Sequence, residues 1–355
     1  MINLLIINST LQRSGVTNVI YNLCKFLDKS KVNITIITLS KEPSDSKITD
    51  FESIGVKVVC FNKSRLSGIV VGYQQSFKNF LLNSPQDVVH TFSYRGTALA
   101  SKYLRQIKRV VTLEANLKDN YSDTYGKALG SYIASKELAG FKTADCKVVC
   151  SQTLFNHYHY LAPDLVVQNG ADETVFYPVS ETEKKGLRVK NKLPLDKKIY
   201  ISVGSLIPRK DPNTIFNAYL LAKLPNSILL FLGSGPLNMN NNGNENVIFK
   251  GNVLNVDEYL KCADVFVSAS HSEGLPNTVL EAALSGLTCV VSDIPQHHDV
   301  FHHSEANGVH FFPVKGENKL AQLLTDVFPN KVKYDCQTAT NMAMQYLNCY
   351  TNLLN

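Results

Sequence analysis

The chain has 355 residues, of which 44% are apolar and 19% charged, as in an ordinary soluble globular protein. No apolar run approaches the roughly 18 to 20 residues that cross a bilayer, which argues against a membrane-spanning helix, and the length predicts two domains. The net charge of +6 is uneven: residues 1–170 carry 20 Lys and Arg against 12 Asp and Glu, whereas residues 171–355 carry 16 against 18.

The first half alternates short apolar runs with helical patterns. The opening MINLLIINST has no basic segment and no small-residue cleavage site, so it predicts a first strand and not a signal peptide. The predicted strands are 2–8, 32–39, 56–61, 87–91, 109–113 and 147–150, and the predicted helices include 17–27 and 96–107.

The same rhythm restarts after residue 196. Strands are predicted at 199–204, 228–233, 247–250, 265–269 and 289–292, with helices at 212–222, 256–262 and 276–284 between them. The polar, Lys- and Glu-rich stretch 180–198 is the predicted linker, and 341–354 is a predicted final helix.

Two series of alternating strands and helices predict an α/β protein with two doubly wound domains, each a parallel sheet with helices on both faces. The predicted domains are residues 1–170 and 171–335, followed by a C-terminal helical segment, 336–355. Open sheets of this kind bind ligands outside the carboxyl ends of their strands. We therefore expect the site in a central cleft that the two domains face.

The distribution of charge and of cysteines indicates which partners the protein could bind and in which compartment it is expected. The basic first half would suit a nucleic acid, an anionic membrane surface or a phosphorylated substrate, although a basic surface kept for solubility explains it equally well. The eight cysteines are scattered through the chain without C-x-x-C spacing. This pattern is typical of reduced, packed thiols, so we expect a cytosolic protein with no disulfide framework.

The segment EGLPNTVLEAALSG contributes Glu273 and Glu281, the only Asp, Glu, Lys or Arg residues of the apolar run 265–292. Glu273 precedes a predicted helix that begins at Pro276, and Glu281 lies on that helix. The N–H groups and positive dipole end of a helix N-terminus attract an anion. Two carboxylates that flank such an end would suit a nucleotide sugar, which carries diols on both sides of a diphosphate. Alternatively, Glu281 is a solvent-face residue and Glu273 a loop charge.

Two further segments of the second half follow predicted strands. In VGSLIPRKDP, Arg209 and Lys210 lie in a loop before a helix, where cations can bind a diphosphate and stabilise a departing phosphate. In LGSGP, Gly233 and Ser234 follow a strand, and the glycines permit close approach of the backbone to a ligand. An ordinary strand-to-helix turn is an equal interpretation of LGSGP, which does not match the G-x-G-x-x-G pattern.

The first half offers a loop and a histidine. STLQRSGVTNVI is a strand–loop–helix segment with Gly15 in the turn, and it would face the second domain across the cleft. His90 ends the predicted strand 87–91, where a site residue can lie, although a lone histidine is more often packed in a core.

No metal is expected from the sequence. The histidine-rich segment QHHDVFHH, 296–303, fits no common zinc spacing. There is also no D-x-D motif anywhere in the chain, which disfavours a divalent metal on the diphosphate.

These segments together resemble the family 4 retaining glycosyltransferases. EGLPNTVLEA resembles the E-x7-E signature of that family, and VGSLIPRKDP, LGSGP, FKGNVLNVDEYLKCADVFVSAS, VVQNGADETVFYPV and VSDIPQHHDV follow in the family's order and spacing. The resemblance is strong over residues 160–315 and looser in the first domain, through the Gly15 loop and DVVHTFSYRGTALA. It implies the GT-B fold, with an N-terminal acceptor-binding and a C-terminal nucleotide-sugar-binding domain, and a terminal helix that returns to the first domain.

The resemblance also implies roles for individual residues. Glu281 would bind the ribose hydroxyls and Glu273 the hexose near the reacting carbon. Lys210 would hold the diphosphate with Arg209 beside it, and these two cations and Glu273 are the implied catalytic residues. The other implied donor contacts are Gly15, Ser205, Gly233, Ser234, Gly274, Leu275, Pro276, Asn277, Thr278 and Val253.

Three positions depart from the family pattern. Ser205 stands where the family often has Arg, so diphosphate binding would depend more on Arg209. Phe92 and Glu114 stand at or near positions where the family often has His, and with His90 they are the candidate acceptor-site residues of the first domain.

The resemblance implies a metal-independent hexosyltransferase that uses a nucleotide-diphosphate sugar, with UDP favoured, and no other cofactor. The acceptor would be a glycan or a lipid-linked sugar in bacterial capsule or surface-polysaccharide synthesis. The protein would be cytoplasmic, with peripheral contact to an anionic membrane and no nucleic-acid partner. The alternatives are another GT-B enzyme, such as an epimerase or an inverting transferase, a catalytically inactive partner subunit, or a sugar-binding protein of the periplasmic type.

Overall fold

The computed structural model describes residues 1–63, 72–301, 308–329 and 332–355. The chain forms two compact units. Unit 1 comprises Met1–Gly170 together with Ala339–Asn355, and unit 2 comprises Ala171–Thr338. None of the helices in the described ranges is long and apolar enough to span a membrane.

Unit 1 contains a parallel sheet of seven strands in the order β3-β2-β1-β4-β5-β6-β7. Its strands are β1 (Ile2–Asn8), β2 (Val32–Thr38), β3 (Lys57–Cys60), β4 (Val88–Thr91), β5 (Lys108–Leu113), β6 (Cys146–Val149) and β7 (Leu165–Val166). The strand order reverses between β1 and β4, so this sheet is doubly wound.

The helices of unit 1 cover both faces of that sheet. They are α1 (Gly15–Phe26), α2 (Ile48–Ser53), α3 (Tyr73–Asn83), α4 (Tyr94–Tyr103), α5 (Leu117–Tyr125), α6 (Lys127–Lys142) and α7 (Gln152–His157). Leu4 and Ile6 of β1 enter one hydrophobic cluster, and Leu5 and Ile7 enter the cluster on the opposite face. Because successive side chains of a strand point to opposite faces, a strand buried on both sides must be apolar at every position, as LLII is.

Unit 2 contains a parallel sheet of six strands in the order β10-β9-β8-β11-β12-β13. The strands are β8 (Lys198–Val203), β9 (Ser227–Leu232), β10 (Val247–Phe249), β11 (Val265–Ser268), β12 (Thr288–Ser292) and β13 (Val309–Phe312). The helices are α8 (Glu181–Lys190), α9 (Pro212–Ala222), α10 (Val256–Cys262), α11 (Asn277–Leu284), α12 (Pro295–Val300) and α13 (Glu317–Asp326). The predicted α/β class with two doubly wound domains is confirmed.

The last helix, α14 (Ala339–Leu354), belongs to unit 1 although it follows unit 2 in the chain. It packs against α1. Its buried side chains include Met342, Tyr346 and Tyr350, which join the same hydrophobic cluster as β1.

The predicted linker 180–198 is wrong. Ser180 caps α8 through a hydrogen bond that its hydroxyl accepts from the amide of Glu183, at 3.1 Å. Arg188 of this helix is buried and donates to the carbonyl oxygen of Cys262 at 2.9 Å and to Asp264 at 2.7 Å. A charged side chain that is buried and paired in this way fixes its helix to unit 2. The polar stretch 180–198 therefore contains a packed helix and is not a linker.

His90 is a core residue of unit 1. Its ring is fully buried, Nδ1 lies 2.7 Å from the Tyr350 hydroxyl, and Nε2 lies 2.8 Å from Oγ1 of Thr112. The same Thr112 oxygen lies 2.9 Å from the hydroxyl of Tyr346, so β4, β5 and α14 share one buried hydrogen-bond network. Burial lowers the pKa of His90 to about 3, which keeps the ring neutral. Both ring nitrogens are occupied, so the prediction that His90 belongs to the acceptor site is replaced by a packing role.

Replacing Tyr350 with Phe should destabilise unit 1 by about 1 to 3 kcal/mol, because Nδ1 of His90 then stays buried without its partner. Urea unfolding followed by circular dichroism measures this, since the chain has no tryptophan. Met344→Ala is the matched control: this side chain lies on the exposed face of the same helix and should change the free energy of unfolding by less than about 0.5 kcal/mol. Equal effects of the two changes would contradict the proposed network.

Candidate active site

Asp211 joins the two loops of unit 2 that follow β8 and β11. A single 3-10 turn, Pro208–Lys210, is followed by Asp211 in the left-handed region at φ 46°. The Asp211 carboxylate caps α9, accepting from the amide of Thr214 at 3.3 Å, and it lies 2.9 Å from Nε2 of His271. The β8 loop is therefore anchored to its own helix and to the β11 loop at the same residue.

Glu273 is the centre of a buried ion-pair cluster between these loops. Its Oε1 lies 2.5 Å from Nζ of Lys210, and its Oε2 lies 3.1 Å from the guanidinium of Arg209. Arg209 also donates to the carbonyl oxygen of Ser272 at 2.6 Å, while the amide of His271 donates to the carbonyl oxygen of Arg209 at 2.8 Å. The structure thus brings together Glu273, Lys210 and Arg209, the three residues predicted to be catalytic.

The charge state of Glu273 follows from these contacts. Burial by itself would raise its pKa, but the charges of Lys210 and Arg209 more than offset the burial and bring the pKa down to about 2. Glu273 is therefore a carboxylate at every physiological pH, and its two oxygens can accept hydrogen bonds but cannot donate them.

Glu281 lies eight residues further on, on α11, in the opposite electrostatic state. Its side chain is half-buried, and burial together with the nearby charge of Asp257 raises its pKa to about 8. Within the described ranges, no side chain or backbone group makes a hydrogen bond or ion pair with this carboxyl group. An unpaired, partly desolvated carboxyl group is costly to fold, which is typical of a residue that meets its partner on a ligand.

A small recess lies at the carboxyl ends of β8 and β11. Its lining includes Gly204, Ser205, Lys210 and Ser270. Ser205 is exposed in the loop, where it offers a hydroxyl group. The recess therefore combines backbone, serine hydroxyl groups and the ammonium of Lys210, a set of groups that suits an anion.

Gly233 and Gly235 of LGSGP pack against backbone. A Cβ on Gly233 would lie 2.0 Å from the carbonyl oxygen of Gly204, and one on Gly235 would lie 2.2 Å from that of Leu206. The amide of Leu206 donates to the carbonyl oxygen of Ser234 at 3.1 Å, which holds the two loops together. In this structure the glycines allow close approach of the β8 loop, and the predicted contact of Gly233 and Ser234 with a ligand stays a prediction.

The other predicted donor-binding residues of unit 2 lie at two places. Val253 is half-buried in the loop between β10 and α10. The rest precede or begin α11, and of these Leu275 and Pro276 are buried whereas Gly274, Asn277 and Thr278 are half-buried. The N-cap position of α11 is Pro276, which has no side-chain group to bond the free amides of the first turn.

The predicted residues of unit 1 have different surroundings. Gly15 is exposed at the first position of α1, next to Ser14, whose hydroxyl accepts from the amide of Thr17 at 3.2 Å. Phe92 is buried with its ring centroid 4.0 Å from that of His90. Phe92 therefore belongs to the core of unit 1, which corrects its assignment to the acceptor site.

Glu114 keeps the character of a site residue. It follows β5, and its Oε2 accepts from the side-chain amide of Asn169 at 2.8 Å, while Oε1 is buried and has no hydrogen-bond partner in the described part of the chain. Burial raises the pKa of Glu114 to about 7, offset in part by hydrogen bonds from Asn169 and Cys150. A carboxyl group that titrates near neutral pH at the carboxyl end of a strand is a candidate for ligand contact.

Asp211, His271 and Ser270 were missed from the sequence. They orient the cluster around Glu273, but each is an ordinary loop residue by type and spacing. Only the RKDP segment, with Asp before Pro at a helix start, signals the capping role of Asp211.

The described residues contain no group of three or more His, Cys, Asp and Glu side chains placed to hold a metal ion. In the histidine-rich segment, His297 is buried whereas His298 lies 2.8 Å from Asp293. His302 and His303 lie outside the described residues, so the segment is only partly placed.

Comparisons with known proteins agree with this architecture. The profile of Glycosyltransferase Family 4 matches residues 13–174, and the profile of Glycosyl transferases group 1 matches residues 183–342. The solved structure of Anabaena HepE in complex with UDP and glucose superposes with a TM-score of 0.78 at 12% identity, over 99% of this chain and 100% of that one.

Two curated relatives come from Escherichia coli. The O-antigen biosynthesis glycosyltransferase WclY is 24% identical over 97% of this chain and 97% of its own length. UDP-Gal:alpha-D-GlcNAc-diphosphoundecaprenol alpha-1,3-galactosyltransferase is 31% identical over 145 residues, which span 36% of this chain and 36% of that protein.

Two doubly wound units, each built on its own parallel sheet, define the GT-B class of fold. The chain belongs to the glycosyltransferases of this class, with a family 4 segment followed by a group 1 segment.

Replacing Lys210 with Met should destabilise unit 2 by about 3 kcal/mol, because a buried carboxylate loses its nearest cation. Glu273 has a pKa below that of the unfolded chain, so the stability it contributes is complete above about pH 4.5 and is lost as the pH falls towards 2. Without Lys210, this loss should begin at a higher pH. Urea unfolding between pH 3 and 7 measures both effects.

The double variant Lys210→Met with Glu273→Gln should recover part of the lost stability, since the unpaired charge is then absent. Lys319→Met, which removes an exposed cation from the same unit, should have no effect beyond about 0.5 kcal/mol. A double variant no more stable than Lys210→Met alone would show that the ion pair is not what matters.

Proposed function

We propose that this protein is a retaining hexosyltransferase that moves a hexose from a UDP-sugar to a glycan or lipid-linked acceptor in bacterial surface-polysaccharide synthesis. The observation that carries the proposal is the contrast between the two carboxyl groups that flank the start of α11. Glu273 is ionised and paired with two cations, whereas Glu281 is unpaired and has a raised pKa. Membership of the glycosyltransferase family supports the same function.

The donor would be held by groups of three kinds. Glu281 accepts hydrogen bonds from the ribose diol, which supplies the donors that its carboxyl group lacks. The uncapped N-terminus of α11 and the ammonium of Lys210 attract the diphosphate. Glu273 accepts hydrogen bonds from hexose hydroxyls. The UDP that HepE holds in its solved structure, and the UDP-sugar in the name of the galactosyltransferase, favour uridine as the base.

The reaction would be a front-face substitution at the anomeric carbon. The bond from that carbon to the diphosphate oxygen breaks, and a bond to the acceptor oxygen forms on the same face of the sugar. Lys210 and Arg209 stabilise the negative charge that builds on the departing diphosphate, which in turn takes the proton of the acceptor hydroxyl. Two fixed cations perform the part that a divalent metal plays elsewhere, so we propose that the reaction is metal-independent.

We propose that unit 1 binds the acceptor. Most of the net positive charge lies in this half of the sequence, and Glu114 presents a carboxyl group that titrates near pH 7. A lipid-linked diphosphate acceptor, of the kind in the name of the E. coli galactosyltransferase, would complement the positive charge.

A lipid-linked acceptor calls for contact with a membrane, and the hairpin of α5 and α6 has a surface that suits one. Tyr125, Leu129 and Tyr132 are 47%, 53% and 55% exposed, and Lys127 and Lys136 lie among them. Exposed aromatic and aliphatic side chains beside lysines are typical of helices that bind an anionic bilayer surface. We call this surface, Tyr125 to Lys136, the aromatic-basic patch.

Replacing Glu281 with Gln should weaken UDP binding about tenfold, because the binding free energy loses the contribution of a hydrogen bond to a charged group. Because diols favour the ionised form, UDP should lower the pKa of Glu281 from about 8, and wild-type binding at pH 7 should release protons. Calorimetry in buffers of different ionisation enthalpy measures the affinity and the proton release together.

The release of protons should disappear in Glu281→Gln and persist in Ser285→Ala, the control one turn further along the same face. Unchanged UDP affinity in Glu281→Gln would exclude the ribose contact. Thermal shifts with UDP-, GDP- and ADP-sugars identify the base of the donor. The anomeric configuration of the product separates retention from inversion or epimerisation. Loss of transfer in EDTA would exclude the metal-independent reaction.

Leu129→Ser together with Tyr132→Ser should weaken binding to phosphatidylglycerol vesicles at least about tenfold, because both apolar side chains leave the bilayer interface. Raising the salt concentration should weaken wild-type binding further, since each lysine near the surface contributes about 1 kcal/mol. Vesicle sedimentation measures both effects. Leu82→Ser removes an apolar side chain that is 73% exposed elsewhere in unit 1, and equal loss in this control would contradict the patch.

A further inference from the structure

His297, on the first turn of α12, is buried completely. Its Nδ1 lies 2.7 Å from the carbonyl oxygen of Ser292. A carbonyl oxygen only accepts, so Nδ1 carries the proton. Burial lowers the pKa of His297 to about 4, against smaller opposing effects of Ser292 and Glu273, so the ring is neutral. In a neutral ring with a protonated Nδ1, Nε2 is an acceptor with a free lone pair.

That acceptor has no visible use in unit 2. Nε2 of His297 is buried, and no described group makes a hydrogen bond with it. Buried polar atoms without a partner are rare in folded proteins because each loses its bonds to water and gains nothing in return. The bond from Nδ1 to Ser292 accounts for one ring nitrogen only, so the free Nε2 requires another explanation.

The surroundings of the ring indicate what that explanation is. Glu273 and Lys210 are the two charged groups of the cluster whose fields act on the ring, and the neighbouring His298 adds a smaller effect. Ser292, which fixes Nδ1, also donates its hydroxyl to the carbonyl oxygen of Ser270 at 2.5 Å. Ser270 lies three residues before Glu273, so the histidine is connected to the Glu273 loop through Ser292.

We propose that His297 is a positioning residue of the donor site, whose Nε2 accepts a hydrogen bond from the Lys210 ammonium when donor hydroxyls take over the oxygens of Glu273. In this structure, Lys210 donates to Glu273 at 2.5 Å, and its ammonium has further N–H groups that can donate. A second acceptor beside Glu273 keeps the ammonium aimed at the diphosphate throughout the reaction. This inference rests on the proposed function.

Two conservative substitutions separate the two ring nitrogens. His297→Asn places an amide N–H near Nδ1, so the bond to Ser292 is kept and the acceptor at Nε2 is lost. His297→Gln reaches further and places an amide oxygen near Nε2. His298→Asn is the matched control, because His298 is the neighbouring histidine and is bound to Asp293, outside the cluster.

In transfer assays, kcat of His297→Asn should fall about tenfold, while the Kd for UDP changes less than about threefold and the melting temperature stays close to wild type. His297→Gln should recover part of kcat, and His298→Asn should behave as wild type. A purely structural histidine would instead lose melting temperature and kcat together in both variants, with no recovery in Gln, and that result would overturn the proposal.

A spectroscopic measurement does not depend on transferase activity. In 15N spectra, Nε2 of His297 should show the shift of an unprotonated nitrogen, and UDP-glucose should move that shift in the wild type but not in Lys210→Met. If the wild type transfers no sugar and yet shows this response, the proposed function fails while the positioning role stands. An Nε2 that does not respond to UDP-glucose, or that is protonated in the free protein, overturns the positioning role.

Discussion

The ion pair between Lys210 and Glu273 is the interaction on which the candidate site depends. It joins the loop after β8 to the loop after β11, and Arg209 strengthens it from the same turn. Removing two charges from water is costly, and the arrangement persists because each oxygen of Glu273 has a cationic partner. This desolvation cost is typical of a site that holds its cations in place before an anionic ligand binds.

The same arrangement divides the two glutamates into different chemical species. Near neutral pH, Glu273 is an ionised acceptor, while Glu281 has a pKa of about 8 and gains its charge when a ligand offers hydrogen-bond donors. Environments that separate the pKa values of two like groups are a recurring way to give them different roles. In the proposed function these roles are the hexose and the ribose ends of one donor, with His297 supporting Lys210 between them.

Many helices and strands could be predicted from the sequence, because the periodicity of apolar residues is a local property. The helix predicted at 212–222 matches α9 to the residue, and the strand predicted at 2–8 matches β1. The two-residue strand β7 was not predicted, since a run so short carries no periodic signal. The stretch 180–198 failed for a different reason: its polarity suggests solvent, and only its contacts with Cys262 and Asp264 make Arg188 a buried anchor.

The sequence by itself determined the fold class, the family and the types of residue at the site, because these follow from short motifs and from patterns along the chain. Only the tertiary structure decided the state of each residue. His90, near the end of β4, and Glu273, in the loop after β11, are both buried side chains, yet one is locked in a core by Tyr350 and Thr112 and the other is held as an ion by two cations. Burial and distance to a partner set a pKa and a role, and neither quantity is written in the order of residues.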